Sequence, residues 1–421
     1  MLNRLNVYYN GWGESWLWGT LISSIATTRR PIISFEYSSE AISSGIELSS
    51  YLLPLNGLPL RQGFPAHHMG LPGPVYDALP DGWGMLLMDR YFRKIGLNPA
   101  RIGPLERLTY ISTHAMGALS FEPCVADMQT SENIPLLQLA QEVQEVLKGE
   151  GGEFLQHLLI LGGSQQGAKH KAIVYRDPVS LEFSTQASDQ HEAWLIKFPA
   201  QQEHPEVCAI EAVYAACLRL CKIDTPDTHC FNLPNGLTAF ASKRFDRQNG
   251  IRIPMQSLAA YTGADYKVPG SLDYRNFLRA TLMCTQDVRE RMQAFKRAVF
   301  NVLFNNRDDH TKNFSFLMEK NGQWKLAPAY DVTFCEGPGG YHQMDIMGEA
   351  LNISRNDIHK LGTSEANLTT LEVDEIIFAM REIALQFSQI AQRMHPNQIR
   401  TSTLHMIQSR IQQNIDFLTE T

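Results

Sequence analysis

The chain of 421 residues has few of the features that mark secreted, membrane-bound or nucleic-acid-binding proteins. No uninterrupted apolar run approaches the ~20 residues of a membrane-spanning helix, and residues 1–10 mix polar and apolar side chains. The seven cysteines form no Cys-x-x-Cys pair, and their odd number leaves at least one unpaired, which favours reduced thiols. The formal charge of -7 gives no overall basic field for nucleic acid or an anionic membrane. These observations predict a cytoplasmic protein without a membrane partner.

Length and pattern predict an α+β chain in three regions. The length is too great for one ordinary core and indicates roughly two to three domains or lobes. Residues 1–125 are predicted to form a small β-rich subdomain and a linker. Residues 126–250 mix strand and helix patterns, and residues 251–421 are mainly helical.

Hydrophobic patterns predict individual elements in each region. Runs rich in β-branched and aromatic residues predict strands, and apolar residues at helical spacing predict helices. The predicted strands near the start of the chain lie at residues 7–9, 16–22 and 32–37. The predicted helices lie at residues 85–95, 134–148, 205–221, 288–303, 371–394 and 404–418.

The most informative motif lies at residues 307–313 and continues to Asp331. Asp308 and Asn313 have the Asp-x-x-x-x-Asn spacing of the kinase catalytic loop. In that loop the aspartate accepts the substrate hydroxyl proton and the asparagine holds magnesium. Asp331 follows two strand-like runs joined by a turn at residues 321–322, where a second metal-binding carboxylate is expected.

Two other interpretations of this motif stay open. Acidic and amide residues commonly crowd turns, where their side chains cap backbone groups. A metal site built from Asp308, Asp309 and His310 is also conceivable. Such a site is disfavoured, because neighbouring side chains of an extended segment point to opposite faces.

Residues 159–174 predict two strand-like runs joined by a glycine-containing turn. Backbone N–H groups of such a turn can bind phosphates, because glycine lets the main chain approach closely. The turn fits neither G-x-G-x-x-G nor G-x-x-x-x-G-K-[ST], and a plain hairpin explains it equally well.

A lysine lies inside the next apolar strand, and a glutamate lies on the helix that follows. Lys197 is flanked by apolar residues, and Glu211 belongs to the helix predicted at residues 205–221. This order matches the ion pair with which kinases position ATP phosphates. The alternatives are a lysine that extends to solvent and an ordinary surface glutamate.

A further strand is predicted at residues 240–247, where a kinase joins its lobes and binds adenine through its main chain. An edge strand with a charged end is the alternative. The glycine turn, the strand lysine, the helix glutamate, the linker strand, the catalytic motif and the metal-binding aspartate follow the order of a two-lobed kinase.

With these residues in place, the chain resembles the HipA-type serine/threonine kinases, the toxins of bacterial type II toxin-antitoxin modules. The resemblance covers nearly the whole chain and implies a β-rich N-terminal subdomain followed by a two-lobed, protein-kinase-like fold with a helical C-terminal lobe. Its most specific positions are Asp308, His310, Lys312, Asn313, Phe314, Pro328, Tyr330 and Asp331.

The resemblance implies a role for each matching residue. Asp308 corresponds to the catalytic base, Asn313 and Asp331 to the magnesium ligands, and Lys197 to the phosphate-binding lysine. The adenine hinge corresponds to the main chain of Lys243, Arg244 and Phe245. Further positions that line the nucleotide pocket are His310, Lys312 and Tyr330.

The glycine turn resembles the family's phosphate loop, whose leading serine, here Ser164, is autophosphorylated. The nucleotide-binding positions of this loop correspond to Gln166, Gly167, Ala168, Lys169, His170 and Lys171. Gln166 stands where the family usually has a second glycine, and His170 where it often has a proline.

The resemblance also implies cofactors and partners. The cofactors are ATP and Mg²⁺, and the expected substrate is a translation-related protein such as an aminoacyl-tRNA synthetase. The expected partner is a small helix-turn-helix antitoxin, through which DNA is reached indirectly. Two other function classes stay open: a small-molecule phosphotransferase, and a pseudokinase that serves as a scaffold or corepressor.

Overall fold

A computed structural model of the chain describes residues 2–24, 32–56, 60–125, 133–148, 155–162, 169–188, 190–200 and 203–419. The chain divides into two compact units. Unit 1 comprises Met1–Glu203, Phe231–Gly263 and Leu317–Gln323. Unit 2 comprises His204–Cys230, Ala264–Phe316 and Trp324–Thr421.

The described residues form strands and helices in both units. The strands are β1 (Arg4–Tyr9), β2 (Trp16–Ser24), β3 (Ile32–Tyr37), β4 (Leu60–Arg61), β5 (Leu119–Glu122), β6 (Lys171–Arg176), β7 (Phe183–Ser184), β8 (Glu192–Lys197), β9 (Thr228–Asn232), β10 (Thr238–Lys243), β11 (Arg247–Gln248), β12 (Ile251–Arg252), β13 (Met255–Ser257), β14 (Ser315–Met318) and β15 (Trp324–Leu326). The helices are α1 (Ser39–Ser44), α2 (Gly73–Tyr76), α3 (Gly82–Lys94), α4 (Pro104–Ile111), α5 (Leu136–Lys148), α6 (Leu155–Gly162), α7 (Glu206–Leu220), α8 (Leu258–Thr262), α9 (Tyr274–Thr285), α10 (Val288–Leu303), α11 (Arg355–Ser364), α12 (Thr370–Ala384), α13 (Phe387–Met394) and α14 (Thr401–Thr419).

The N-terminal part of unit 1 is an antiparallel sheet with the strand order β4-β3-β2-β1-β5. Along β1 the side chains of Leu5, Val7 and Tyr9 are buried, as expected of alternate residues on one face of a strand. Trp18 and Phe35 from neighbouring strands pack with their ring centroids 4.7 Å apart. The predicted β-rich N-terminal region is confirmed.

The second sheet of unit 1 carries the strand with Lys197. Its order is β7-β6-β8-β10, continued by β9, whose last residues belong to the same unit. The register places Lys171 of β6 and Phe240 of β10 directly opposite Lys197. Residues directly opposite on paired strands point to the same face, so these three side chains share one face of the sheet.

The run before the glycine turn is helix α6, so the predicted strand at residues 159–161 is wrong. Leu158, Leu159 and Leu161 are all buried. A short apolar run fits a buried strand and a buried helix equally well by pattern alone. Here the run packs against both α3 and β6, and a helix can present apolar side chains on more than one side.

Unit 2 is mainly helical. The side chains of Asp273 and Asp287 cap the N-termini of α9 and α10 by accepting hydrogen bonds from backbone N–H groups. The predicted helix at residues 288–303 is confirmed as α10. The helix predicted at residues 371–394 is divided into α12 and α13, and the buried Phe387 at the division packs 5.4 Å from the ring of Tyr214.

The seven cysteines are unpaired thiols, and four of them are buried. Burial raises the pKa of the Cys221 thiol to about 12, which keeps it protonated and unreactive. Within the ranges that the structure describes, no helix combines the length and apolar character of a membrane span.

Candidate active site

The predicted catalytic motif follows α10 in unit 2. Asn305 ends the helix in the left-handed conformation (φ 54°), which asparagine tolerates better than most residues. The segment then forms a short 3₁₀ turn at Thr311–Asn313, where the Asn313 N–H donates to the His310 carbonyl at 2.9 Å. The Asn313 Nδ2 donates to the Asp308 carbonyl at 2.7 Å. This contact fixes the amide and directs its oxygen away from that carbonyl.

The Asp308 side chain is 43% exposed and accepts a hydrogen bond at one oxygen. Gln343 Nε2 donates to Asp308 Oδ1 at 2.8 Å, and His310 Nε2 lies 3.8 Å from the same oxygen. A partly exposed carboxylate can accept a proton from an incoming hydroxyl group. The geometry is that of a candidate base.

Tyr330 links the Asp331 segment to the catalytic turn. Its hydroxyl donates to the Lys312 carbonyl at 2.6 Å and lies 2.6 Å from Ser315 Oγ. Asp331 itself has a positive φ of 54°, an uncommon conformation that concentrates at functional sites. These contacts bring Asn313 and Asp331 to the same part of unit 2, although they are far apart in sequence.

The oxygen donors of this region fit a magnesium ion. Mg²⁺ prefers hard oxygen ligands and is commonly bound by one or two carboxylates together with substrate phosphates. Asp331 would supply a carboxylate oxygen and Asn313 an amide oxygen. The buried Lys312, whose Nζ lies 4.6 Å from the Tyr266 ring centroid, adds a positive charge to the same turn.

Asp309 has a different environment from its neighbour Asp308. It is fully buried and accepts three hydrogen bonds of 2.7 Å, from the Tyr274 hydroxyl, His342 Nδ1 and the Gln343 N–H. The two adjacent carboxylates therefore differ in burial, and Gln343 contacts both of them, Asp308 through its side chain and Asp309 through its main chain. This arrangement argues against metal binding by three consecutive residues.

We expect the Asp309→Asn variant to lower the free energy of unfolding by about 3 kcal/mol, the scale for removing one partner of a buried charged contact. The amide replaces one acceptor oxygen with NH₂, which opposes a buried donor. Urea unfolding followed by fluorescence measures the loss. The matched control is Asp308→Asn at the exposed neighbouring position. Equal stability of the two variants would contradict the structural role of Asp309.

In unit 1, Lys171 and Lys197 face each other across β6 and β8, and both are buried. The Lys197 Nζ lies 5.8 Å from the Phe240 ring centroid. Like charges directly opposite on neighbouring strands repel, so a bound anion would stabilise the pair. This is the position at which the sequence predicts phosphate binding.

The predicted hinge follows β10 in unit 1. The Arg244 N–H donates to the Ala193 carbonyl at 2.8 Å, so pairing with β8 continues past Lys243. The Arg244 guanidinium binds Asp246 through Nε and Nη2 at 2.8 and 2.6 Å. Burial alone would raise the pKa of Asp246, but Arg244 and Arg247 outweigh burial and hold that pKa below its usual range. This buried cluster fixes the chain that follows the hinge.

A cleft of about 430 Å³ borders the hinge within unit 1. Its walls include Ile173 of β6, Ala193 of β8, and Lys243 and Arg244 at the end of β10. Most of the other residues that line the cleft are polar or charged, and a cleft of this size can accommodate a small ligand with polar groups.

Several predicted site residues lie outside the parts of the site described above. Ser164, Gln166, Gly167 and Ala168 lie outside the described residues. Lys169 and His170 precede β6, and the His170 ring contacts that of Trp83 edge to face with centroids 4.7 Å apart. Glu211 is buried in α7 of unit 2, whereas Lys197 belongs to unit 1, so their ion pair stays a prediction.

Sequence reasoning missed the roles of Gln343, His342 and Tyr274. None belongs to a recognisable motif, and each contacts the catalytic turn only through the folded chain. A local pattern cannot reveal such contacts.

Comparisons with known proteins match nearly all of the chain. A family model described as the HipA N-terminal domain matches residues 14–122. A model described as the HipA-like C-terminal domain matches residues 163–395, more than half of the chain.

The chain is similar to a curated protein and to a protein of solved structure. A putative kinase of Haemophilus influenzae is 27% identical over 155 residues, which make up 32% of this chain and 43% of the relative. The chain thus spans less than half the length of this curated relative. A complex of HipA, HipB and operator DNA from Shewanella oneidensis contains a chain of 16% identity and TM-score 0.70, with 98% of this chain and 96% of that chain covered. This likeness confirms the predicted fold.

The proinflammatory kinase CtkA of Helicobacter pylori is 13% identical over 54% of this chain and 87% of its own. Its TM-score of 0.37 is too low to indicate a shared fold.

Proposed function

Because the chain belongs to the HipA family, we propose that it is an ATP- and Mg²⁺-dependent serine/threonine protein kinase that acts as a toxin. The observation that carries this proposal is the catalytic turn of unit 2. There an exposed Asp308 is held at one oxygen, and the Asn313 amide is anchored to the same turn. Tyr330 ties the Asp331 segment to that turn through the Lys312 carbonyl.

The proposed reaction transfers the γ-phosphoryl group of ATP to a serine or threonine hydroxyl. The hydroxyl oxygen forms a bond to the γ-phosphorus while the bond to the β–γ bridging oxygen breaks, and ADP leaves. The Asp308 carboxylate accepts the hydroxyl proton. Little covalent chemistry is required of the protein, so most of the acceleration comes from alignment and charge stabilisation.

Bound Mg²⁺ would neutralise charge on the phosphate oxygens, and Asn313 and Asp331 would hold it. Lys197 would bind the phosphates from the strand face that it shares with Lys171. The main chain of Lys243, Arg244 and Phe245 would bind adenine, with the cleft beside β10 accommodating part of the nucleoside. In unit 2, His310, Lys312 and Tyr330 would contribute to nucleotide binding.

We expect the Lys197→Met variant to bind ATP at least ~10-fold more weakly, the scale of a lost charge-assisted hydrogen bond. Methionine retains much of the aliphatic volume but removes the ammonium group. Calorimetry with a non-hydrolysable ATP analogue measures the affinity. The matched control is Lys320→Met, at an exposed position in the turn after β14. Wild-type affinity in Lys197→Met would favour a structural lysine instead.

The proposal also covers the protein partners and the phosphate loop. The acceptor is expected to be a translation-related protein such as an aminoacyl-tRNA synthetase, and the regulator a small helix-turn-helix antitoxin in the cytoplasm. The formal charge of -7 supports contact with DNA through such an antitoxin rather than directly. Ser164 is the proposed autophosphorylation site, and residues 166–171 form the proposed phosphate loop.

The test is incubation of the purified chain with Mg²⁺ and γ-labelled ATP in a bacterial lysate. Desalting divides the lysate into a macromolecular fraction and a small-molecule fraction. Label should enter a protein in the macromolecular fraction. Label confined to the small-molecule fraction would indicate a small-molecule phosphotransferase. Absence of transfer, together with weak ATP binding, would indicate a pseudokinase scaffold and contradict the proposal.

A further inference from the structure

The segment at residues 340–345 runs beside the catalytic turn in unit 2 and is held there by its main chain. The Gln343 N–H donates to Asp309 Oδ1 at 2.7 Å, and the Gly270 N–H donates to the Gln343 carbonyl at 2.8 Å. The neighbouring His342 N–H donates to the Ala350 carbonyl at 2.8 Å. The backbone of Gln343 is therefore fixed on both sides.

The anchor of this segment is buried. Asp309 also accepts from His342 Nδ1 and from the Tyr274 hydroxyl, which in turn accepts from Asn301 Nδ2 at 2.9 Å. Asp309, His342, Tyr274 and Asn301 are each nearly inaccessible to solvent. A buried polar network whose members are hydrogen-bonded is rigid, because each broken contact leaves an unsatisfied group in a low-dielectric interior.

From this fixed backbone the Gln343 side chain reaches the proposed base. Its Nε2 donates to Asp308 Oδ1 at 2.8 Å. The Asp308 side chain is 43% exposed, so solvent borders much of it. A hydrogen bond from a fixed donor narrows the range of orientations that a partly exposed carboxylate samples.

We infer that Gln343 is a positioning residue that orients Asp308 for proton abstraction and transmits the rigidity of the Asp309 network to it. This inference rests on the proposed kinase function and names a determinant of that site. Gln343 touches neither the phosphate donor nor the acceptor in this role. It fixes one carboxylate oxygen and thereby sets the orientation of the Asp308 carboxylate toward the acceptor hydroxyl.

The chemistry of glutamine suits this task. The amide donates a hydrogen bond to the carboxylate without adding a positive charge. A lysine or arginine at this position would bind Asp308 more strongly and lower its capacity to accept a proton. A neutral donor holds the base and preserves its basicity.

The test compares Gln343→Met with the wild type. Methionine has a similar length and no donor, and the two main-chain contacts of residue 343 do not depend on its side chain, so the fold should persist. We expect kcat to fall about 10- to 100-fold, the scale of a misplaced reacting group, with the KM for ATP unchanged. The matched control is Gln412→Met on α14, where Gln412 also donates to an aspartate at 2.8 Å.

A double-mutant cycle separates positioning from a general structural role. In the Asp308→Asn background, Gln343→Met should cause no further loss, because Gln343 acts only through the Asp308 carboxylate. A similar further loss in that background, or wild-type kcat in Gln343→Met alone, would overturn the inference. In either case an active wild type and an impaired Asp308→Asn variant would leave the kinase proposal standing. A wild type without transfer activity would overturn both.

Discussion

Replacing Asp308 with asparagine is expected to lower the rate of phosphoryl transfer by at least ~10²-fold, the usual scale for losing a positioned acid–base group. Asparagine has the same size, and its carbonyl oxygen can still accept the Gln343 hydrogen bond, but the amide cannot take up the acceptor proton. The fold should be unchanged, because the side chain is 43% exposed and lies on a loop.

The measurement is the initial rate of label transfer from γ-labelled ATP to a protein acceptor. The matched control is Asp416→Asn, at an exposed position of α14 that accepts a hydrogen bond from Gln412. If Asp308→Asn retains the wild-type rate, Asp308 is not the base. Any toxicity of the overexpressed wild type should disappear together with the activity.

The second large effect is expected at Asp331. The Asp331→Asn variant should lose Mg²⁺-dependent ATP binding, because a carboxylate contributes a full charge to a hard cation and an amide only a dipole. Asparagine is the informative substitution, since it tolerates the positive φ of 54° at this position. Alanine would add backbone strain to the loss of the ligand.

Calorimetry with a non-hydrolysable ATP analogue, with and without Mg²⁺, measures this effect. Removal of Mg²⁺ from the wild type should reproduce the affinity of Asp331→Asn. Asn313→Ala should weaken Mg²⁺-dependent binding less, because it removes a neutral ligand. A Mg²⁺-dependent affinity equal to that of the wild type in Asp331→Asn would remove this residue from the metal site.

Local patterns in the sequence predicted much of the fold and the candidate site. The spacing of Asp308 and Asn313 predicted a catalytic loop. Both residues lie in the segment after α10, where Asn313 Nδ2 donates to the Asp308 carbonyl, and their catalytic role stays a prediction. The apolar strand around Lys197 and the strand before the hinge are present as β8 and β10. Such features depend on residues close in sequence, which periodicity and spacing report directly.

The remaining features depend on contacts distant in sequence. The hydrogen bond between Gln343 and Asp308 and the burial of Asp309 require the segment at residues 340–345 to fold back onto the turn. The strand predicted at residues 159–161 is a helix because its apolar side chains pack on both α3 and β6. The division between α12 and α13 accompanies the packing of Phe387 on Tyr214. Tertiary packing decides each of these outcomes, and a local sequence pattern does not report tertiary packing.

The most direct test of the account is phosphoamino acid analysis of protein labelled by the purified chain with Mg²⁺ and γ-labelled ATP, for the wild type and for Asp308→Asn. The account predicts labelled phosphoserine or phosphothreonine with the wild type and at least ~10²-fold less label with the variant. Equal labelling by both proteins, or label found only in a soluble metabolite, would contradict it.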